Sequence, residues 1–314
     1  MLATAEPQAL AAAGFLASGL FAAVAGLLYF AGSRVAGSTL RSAWAWSLFS
    51  SLCLACSELA LAAWGSPVYG AAHLRYAAAV TTCAPIMAVL GARRPQHRGW
   101  QFVVATLLVV LWLPAAQAAV FWPQAPLALH PAMKWFLALL VLWGGFNYLA
   151  TRNALIALLA CIGQLLLLRD YLPLVPRATA GGLGGAHASL CAGALFVVSV
   201  LAARWCAARP ATRLPGIDRA WLAFRDRFGT FWALRVLGRF HAAAGIYRWQ
   251  FTLGWHGLVR QQRDPAAAAP SEDELRQMAE QMATLLRRFE SPAWLQAQLS
   301  PSACPQGLSA SQGR

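Results

Sequence analysis

At 314 residues, 59 % hydrophobic and only 11 % charged, the chain lacks about half the charge of a water-soluble domain, and extended disorder is excluded with it. Its formal net charge is nevertheless +14. All but one of the 25 basic residues are arginine, so a Schiff-base or general-base lysine would have to be Lys134.

The first thirteen residues contain Glu6 and no Lys or Arg, so they lack the basic leader of a signal peptide, and the first apolar stretch is expected to be retained. Seven runs are long and apolar enough to cross a hydrocarbon core of about 30 Å. They cover about 14–32, 43–65, 74–91, 99–121, 133–151, 153–172 and 186–205. Pro85 should kink the third. In the first, Gly14, Ser18, Ala22 and Gly26 recur every four residues, a small-residue ladder that suits close helix packing and also lateral dimerisation.

The connections alternate in charge. Arg34, Arg41, Arg93, Arg94, Arg98, Arg152, Arg204, Arg209 and Arg213 fall on one side, and Arg75, Lys134, Arg169 and Arg177 on the other. By the positive-inside rule this predicts an all-α seven-helix membrane bundle with the N-terminus out and the C-terminus in. Trp44, Trp46, Trp100 and Trp205 then mark inner ends, and Trp64, Tyr76, Trp122, Trp135 and Tyr171 outer ends. The expected location is a bacterial cytoplasmic (inner) membrane.

The transmembrane domain is expected over 1–208, a cytosolic, mainly helical region over 209–299 and a disordered tail over 300–314. The last 106 residues hold eight of the eleven acidic and fourteen of the basic residues. Ile217, Trp221, Phe224, Phe228, Phe231 and Trp232 share a helical face bordered by Arg219, Arg225 and Arg227, and Arg235 would break the stripe. This helix, with Trp221, Arg225, Phe228 and Phe231, is expected either to lie at the headgroups of the inner leaflet or to bury its face in the cytosolic region. Tyr247, Trp249, Phe251, Leu253 and Trp255 alternate with polar residues or glycine, as in a strand, but without an evident partner. After a Pro/Ala linker from Asp264 to Pro270, Ser271 and Glu274 form a capping box for an amphipathic helix, and Ser291-Pro292 starts another.

Ionisable groups in a bilayer are costly, so each requires a reason. Glu58 reads either as a proton or cation ligand facing an outward cavity or as an arginine-paired carboxyl that fixes helix packing. His73, His130 and His187 lie in the outer connections near Asp170, where nitrogen and oxygen ligands could gather round a metal, although their spacing carries no signature. Asn147, Arg152 and Gln164 are intramembrane polar groups that serve as interhelical glue or as a substrate pathway. Cys53 and Cys56 form a CxxC inside a helix, with no flanking group beyond Glu58 to activate a thiol. The glycine-rich 181–185 lacks the context of a phosphate loop. The odd set of seven cysteines reads as packing residues, and the seventh span offers no lysine for retinal.

The leading expectation is a non-catalytic sensor or scaffold whose cytosolic helices dock a protein partner or anionic lipid. A transporter built around Glu58 is the second expectation, and a membrane-embedded metal or thiol enzyme the third. No cofactor is evident beyond that possible metal. Nucleic acid is unnecessary to explain the basicity, because arginines mark the ends of spans.

Overall fold

Backbone inside a hydrocarbon layer must satisfy its own N–H and C=O groups, and the described residues up to Ala208 do so mainly as helices. The computed structural model describes residues 5–64, 68–93, 97–173, 183–208, 216–260 and 270–300. It divides into two units, Met1–Ala208 and Arg209–Arg314. The first contains α1 (Ala5–Ala31), α2 (Arg41–Trp64), α3 (Val68–Thr81), α4 (Cys83–Leu90), α5 (His97–Phe121), α6 (Pro131–Leu149), α7 (Ala154–Leu168) and α8 (Leu183–Ala208). With α3 and α4 taken together, seven stretches are long and apolar enough to span a membrane. Phe30, Phe102, Val120, Leu139, Phe146 and Leu155 are well exposed along them, an apolar girdle that water would not tolerate. The chain is a multi-pass integral membrane protein.

The connection after α1, the C-terminal end of α4 and the start of α5 meet at one end of the bundle. There Thr39 Oγ1 donates to the Ala92 carbonyl and Trp46 Nε1 to Gln101 Oε1. This end carries Arg34, Arg41, Arg93 and Arg152 and is called the basic end below. At the far end Tyr171 donates to the Ala72 carbonyl and His73 Nε2 to that of Ala125. Helices α1, α2, α4, α6, α7 and α8 each pack on the next and close a ring, while α3 and α5 lie against it.

Pro85 breaks the third span, and the break falls at Thr82 rather than at the proline. Proline has no N–H for the carbonyl four residues earlier, which here belongs to Thr81. Ser50 Oγ donates to that carbonyl at 2.7 Å, and Gln164 Nε2 donates to the next, Thr82, at 2.9 Å. Neighbouring helices thus supply the donors that the kink removes.

The four-residue ladder of α1 fails as a continuous face. A step of four residues overshoots the helical turn by about 40°, so three steps rotate off any one neighbour. Gly14 lies close to Ala62, where a Cβ would come within 3.0 Å, and Ser18 donates to the Ala55 carbonyl. Ala22 is exposed, and a Cβ on Gly26 would meet nothing. Two aromatic anchors also need correction. Tyr76 is fully buried and Tyr171 nearly so, and their rings meet edge-on at 4.8 Å inside the bundle. Trp64, Trp122, Trp135 and Trp205 are exposed.

The second unit contains α9 (Gly216–Tyr247), the strands β1 (Phe251–Gly254) and β2 (Gly257–Arg260), α10 (Glu272–Leu286) and α11 (Pro292–Leu299). α9 is two helices joined across Gly229, whose φ of 79° and ψ of −179° interrupt the spiral. That change of direction lets Trp232 stay inside while Arg235 points out, so the apolar face extends through Val236, Phe240 and Ala244. The expected strand begins later than its alternation suggests. Tyr247 ends the helix, Arg248 turns the chain at φ 55°, and antiparallel pairing begins at Phe251. β2 is the partner that the sequence did not reveal, joined to β1 through the two-residue turn Trp255-His256.

The Asp264–Pro270 linker up to residue 269, the tail beyond Ser300, the glycines at 181 and 182, and Arg94, Arg177, Arg209 and Arg213 lie outside the described residues, as does the side chain of Arg98.

Candidate functional site

Glu58 is 1 % exposed and faces an arginine. Arg75 Nε donates to Oε1 at 3.0 Å and its terminal nitrogen to Oε2 at 3.2 Å, a bidentate pair between α2 and α3. Ser189 of α8 adds a donor to Oε1 at 2.6 Å. A Cβ on Gly185 would lie 2.6 Å from the Arg75 guanidinium, so a glycine at this point of α8 gives the arginine room. The carboxylate ties three helices together at the far end and is not open to a cavity.

The histidines and Asp170 separate into individual roles. His73 is buried and bonded to Ala125, while His130 caps α6 by accepting from the Ala132 amide at 3.3 Å. His187 is exposed on α8, and Asp170 pairs with its neighbour Arg169 at 3.3 Å. Among the described residues no three His, Cys, Asp or Glu side chains form a group suited to a metal. Cys53 and Cys56 are both free thiols.

Toward the basic end from Glu58, Ala17, Phe21, Leu54, Ala55 and Ala78 form a buried apolar plug. Below it lies a cavity of about 270 Å³ inside the ring of six helices. Gln164, Thr82, Pro85, Ser50, Ser51 and Tyr148 are among its lining residues. Gly144, Gly145, Ala157 and Ala160 keep its far wall low. Asn147 is buried near the end of α6, and Arg152 is exposed in the turn that follows; neither lines the cavity. Sequence reasoning identified Gln164 but missed the serines. Their signal was available, because Ser47, Ser50 and Ser51 cluster on α2 in a segment otherwise composed for lipid.

The serine and threonine hydroxyl protons around this cavity are committed to backbone carbonyls. Ser47 donates to Ala43, Ser51 to Ser47, Thr82 to Ala79 and Ser199 to Leu195, at 2.6 to 2.9 Å. Ser50 is shared between the Trp46 and Thr81 carbonyls. The lone pairs of the same oxygens are what the wall has left to offer.

In the second unit the expected headgroup helix is turned inward. Trp221 and Phe228 have no exposed surface and Arg225 is 4 % exposed. Phe289 lies 5.0 to 5.3 Å from the rings of Phe224, Phe228 and Trp232, which explains the inward turn, since a rich aromatic cluster is better buried than wetted. The three border arginines are bound as well. Arg219 donates to the carbonyls of Gln298 and Ser300 at the end of α11, Arg225 to the Trp255 carbonyl, and Arg227 pairs with Glu290 at 2.7 Å. Phe231 alone of the four headgroup residues is partly exposed, beneath Arg235 at 4.4 Å.

The capping box is half formed. Ser271 accepts from the Glu274 amide, but the Glu274 carboxylate turns away and accepts from the amides of Gln250 and Phe251, at 2.6 and 3.2 Å. His241 Nε2 donates to the Leu253 carbonyl, and Asp218 accepts from the Leu258 amide at 2.7 Å. Burial raises the Asp218 carboxyl above its usual range, and the Leu258 bond partly opposes that rise. Comparison with protein families, with curated proteins and with solved structures finds nothing that matches this chain.

Proposed function

We propose that the protein is a non-catalytic sensor or scaffold of the bacterial cytoplasmic membrane, with its N-terminus outside and residues 209–314 in the cytosol. Its second unit docks on the anionic inner surface through the outer face of α9. The observation that carries this reading is the division of labour along α9. Its first half places aromatics and arginines inside the unit, whereas its second half exposes Leu234, Arg235, Arg239 and Ile246. Exposed apolar and arginine side chains along one helix suit acidic headgroups and the apolar layer beneath them. The surplus of arginine on one side of the spans supports the orientation.

Reporters fused to the two ends of the full chain test the orientation, and the reverse result removes it. For docking, hydrogen exchange across 234–247 is compared in nanodiscs of anionic and of zwitterionic lipid. The face should be protected in the anionic discs only, and Arg235→Glu with Arg239→Glu should abolish that protection. Equal exchange in both lipids would refute docking.

A permease is the second reading, and the cavity favours it. Glu58 does not serve as its centre, because that carboxylate is paired; Gln164, which lines the cavity, takes the place. Flux into proteoliposomes that Gln164→Leu leaves unchanged would end this reading.

A further inference from the structure

We propose that the cavity inside the helix ring is a binding site for a small, uncharged, largely apolar molecule that carries one hydrogen-bond donor, an alcohol or phenol in chemical class. The inference stands on the cavity alone and is independent of membrane docking.

Size is the first argument. Protein interiors are close-packed, with few voids larger than water. At about 270 Å³ this cavity approaches twice the ~150 Å³ of an apolar cavity that admits benzene. It therefore has room for a compact two-ring compound or a short chain, and not for a two-chain lipid. Charge is the second argument. No Lys, Arg, Asp, Glu or His is among the lining residues, so an ionised ligand would lose its hydration and gain no partner.

The wall's polarity supplies the third argument. Its serine and threonine hydroxyl protons, with one proton of the Gln164 amide, are held by backbone carbonyls, several of them freed or crowded by the break at Thr82. The oxygens of Ser51, Ser199 and Gln164 remain as acceptors. Among the serine, threonine and glutamine groups, a donating ligand finds three oxygens and an accepting one only the second Gln164 amide proton. Broken backbone at membrane depth is tolerated where it lines a cavity, and here the break, the proline and the acceptors coincide.

The test uses the full-length protein in nanodiscs, with empty nanodiscs as the partition control. Equilibrium dialysis measures the binding of 1-naphthol, naphthalene, 1-methoxynaphthalene and 1-naphthoate. Saturable uptake of about one 1-naphthol per chain is expected, with naphthalene and 1-methoxynaphthalene about fivefold weaker and no saturable uptake of 1-naphthoate. Ala160→Phe should abolish uptake by filling the cavity. Ser51→Ala with Ser199→Ala removes two of the three acceptors, whose protons bond only within their own helices, and should lower the ratio of 1-naphthol to 1-methoxynaphthalene; an unchanged ratio would overturn the role of these oxygens. This second variant keeps the test decisive where Ala160→Phe fails to fold. Equal binding of naphthol and naphthalene would overturn the proposal in favour of a simple hydrocarbon slot. Uptake no greater than in empty discs, or uptake that survives a folded Ala160→Phe, would overturn it altogether.

Discussion

The two units face one problem, backbone groups released where a helix or strand stops, and meet it with different chemistry. Among the spans the carbonyls freed around Pro85 are taken by a serine hydroxyl and a glutamine amide. In the second unit the comparable groups go to charged side chains: the β1 amides to Glu274, the Leu258 amide to Asp218, the Trp255 carbonyl to Arg225 and the end of α11 to Arg219. Dielectric surroundings explain the difference. A neutral donor brings no charge into hydrocarbon, whereas in the second unit, which is not composed for lipid, a carboxylate or guanidinium bonds more strongly than a neutral group, and the buried Arg225 is neutralised by Asp226. Glu58 with Arg75 is the place where the first unit departs from its own habit, and it does so with both charges present and a third partner added.

That exception gives the largest expected effect. Arg75→Met leaves the Glu58 carboxylate buried without its cation, and stability should fall by about 3–5 kcal/mol. The double variant Glu58→Leu with Arg75→Met removes both charges and should recover most of the loss, because an apolar pair of similar volume is tolerated in a helical interior. Thermal unfolding of the full chain in detergent measures both. A double variant as unstable as the single one would mean that the pair contributes more than neutralisation of one charge by the other.

Seven spans were legible because hydropathy over about 20 residues is a strong, additive signal. Pairings were not legible, because they depend on which helix faces which. Nothing at Glu58 announces Arg75, seventeen residues later and across a turn, or Ser189 in the last span. The same limit explains the hairpin. Its glycines, Gly254 and Gly257, flank the turn rather than occupying it, so the usual two-residue turn signal is missing between β1 and β2. The edges of a hairpin that would be marginal alone are covered by Glu274 of α10 and by His241 of the preceding helix α9. On α9 the helical period matches the buried face as far as Phe228, but the interruption at Gly229 was invisible, since the residue looks like any helical glycine until its φ is known. Local period also cannot distinguish an aromatic face that meets lipid from one that meets Phe289.

The neutral-donor half of the comparison can be broken at Ser50. Ser50→Ala leaves the Thr81 carbonyl without its donor, at a cost of about 1–3 kcal/mol for an unsatisfied buried group. Pro85→Ala restores an N–H four residues beyond Thr81, so in the Ser50→Ala background it should return part of that stability. In the wild type the same change should help little, because the carbonyl already has a partner. Unfolding of the four proteins in detergent gives a double-mutant cycle. A coupling near zero would show that the serine and the proline act independently, and would detach the break at Thr82 from its account.

The charged half is tested by pH, and here the effect is smallest. Asp218 is raised by burial, so its protonated form is favoured in the folded unit relative to the unfolded chain. Its contribution is therefore fully present below the ordinary carboxylate range and is lost as pH rises through the raised value. Asp218→Asn mimics the protonated side chain and keeps an oxygen for the Leu258 amide, so it should be insensitive to pH at this position. The wild type should lose midpoint temperature relative to this variant as pH rises above the ordinary carboxylate range, with tryptophan fluorescence of the second unit as the probe. A difference that stays constant would mean that the ionised carboxylate is as well held as the neutral one. The Leu258 hydrogen bond would then offset burial, and charge at this backbone contact would cost the unit nothing.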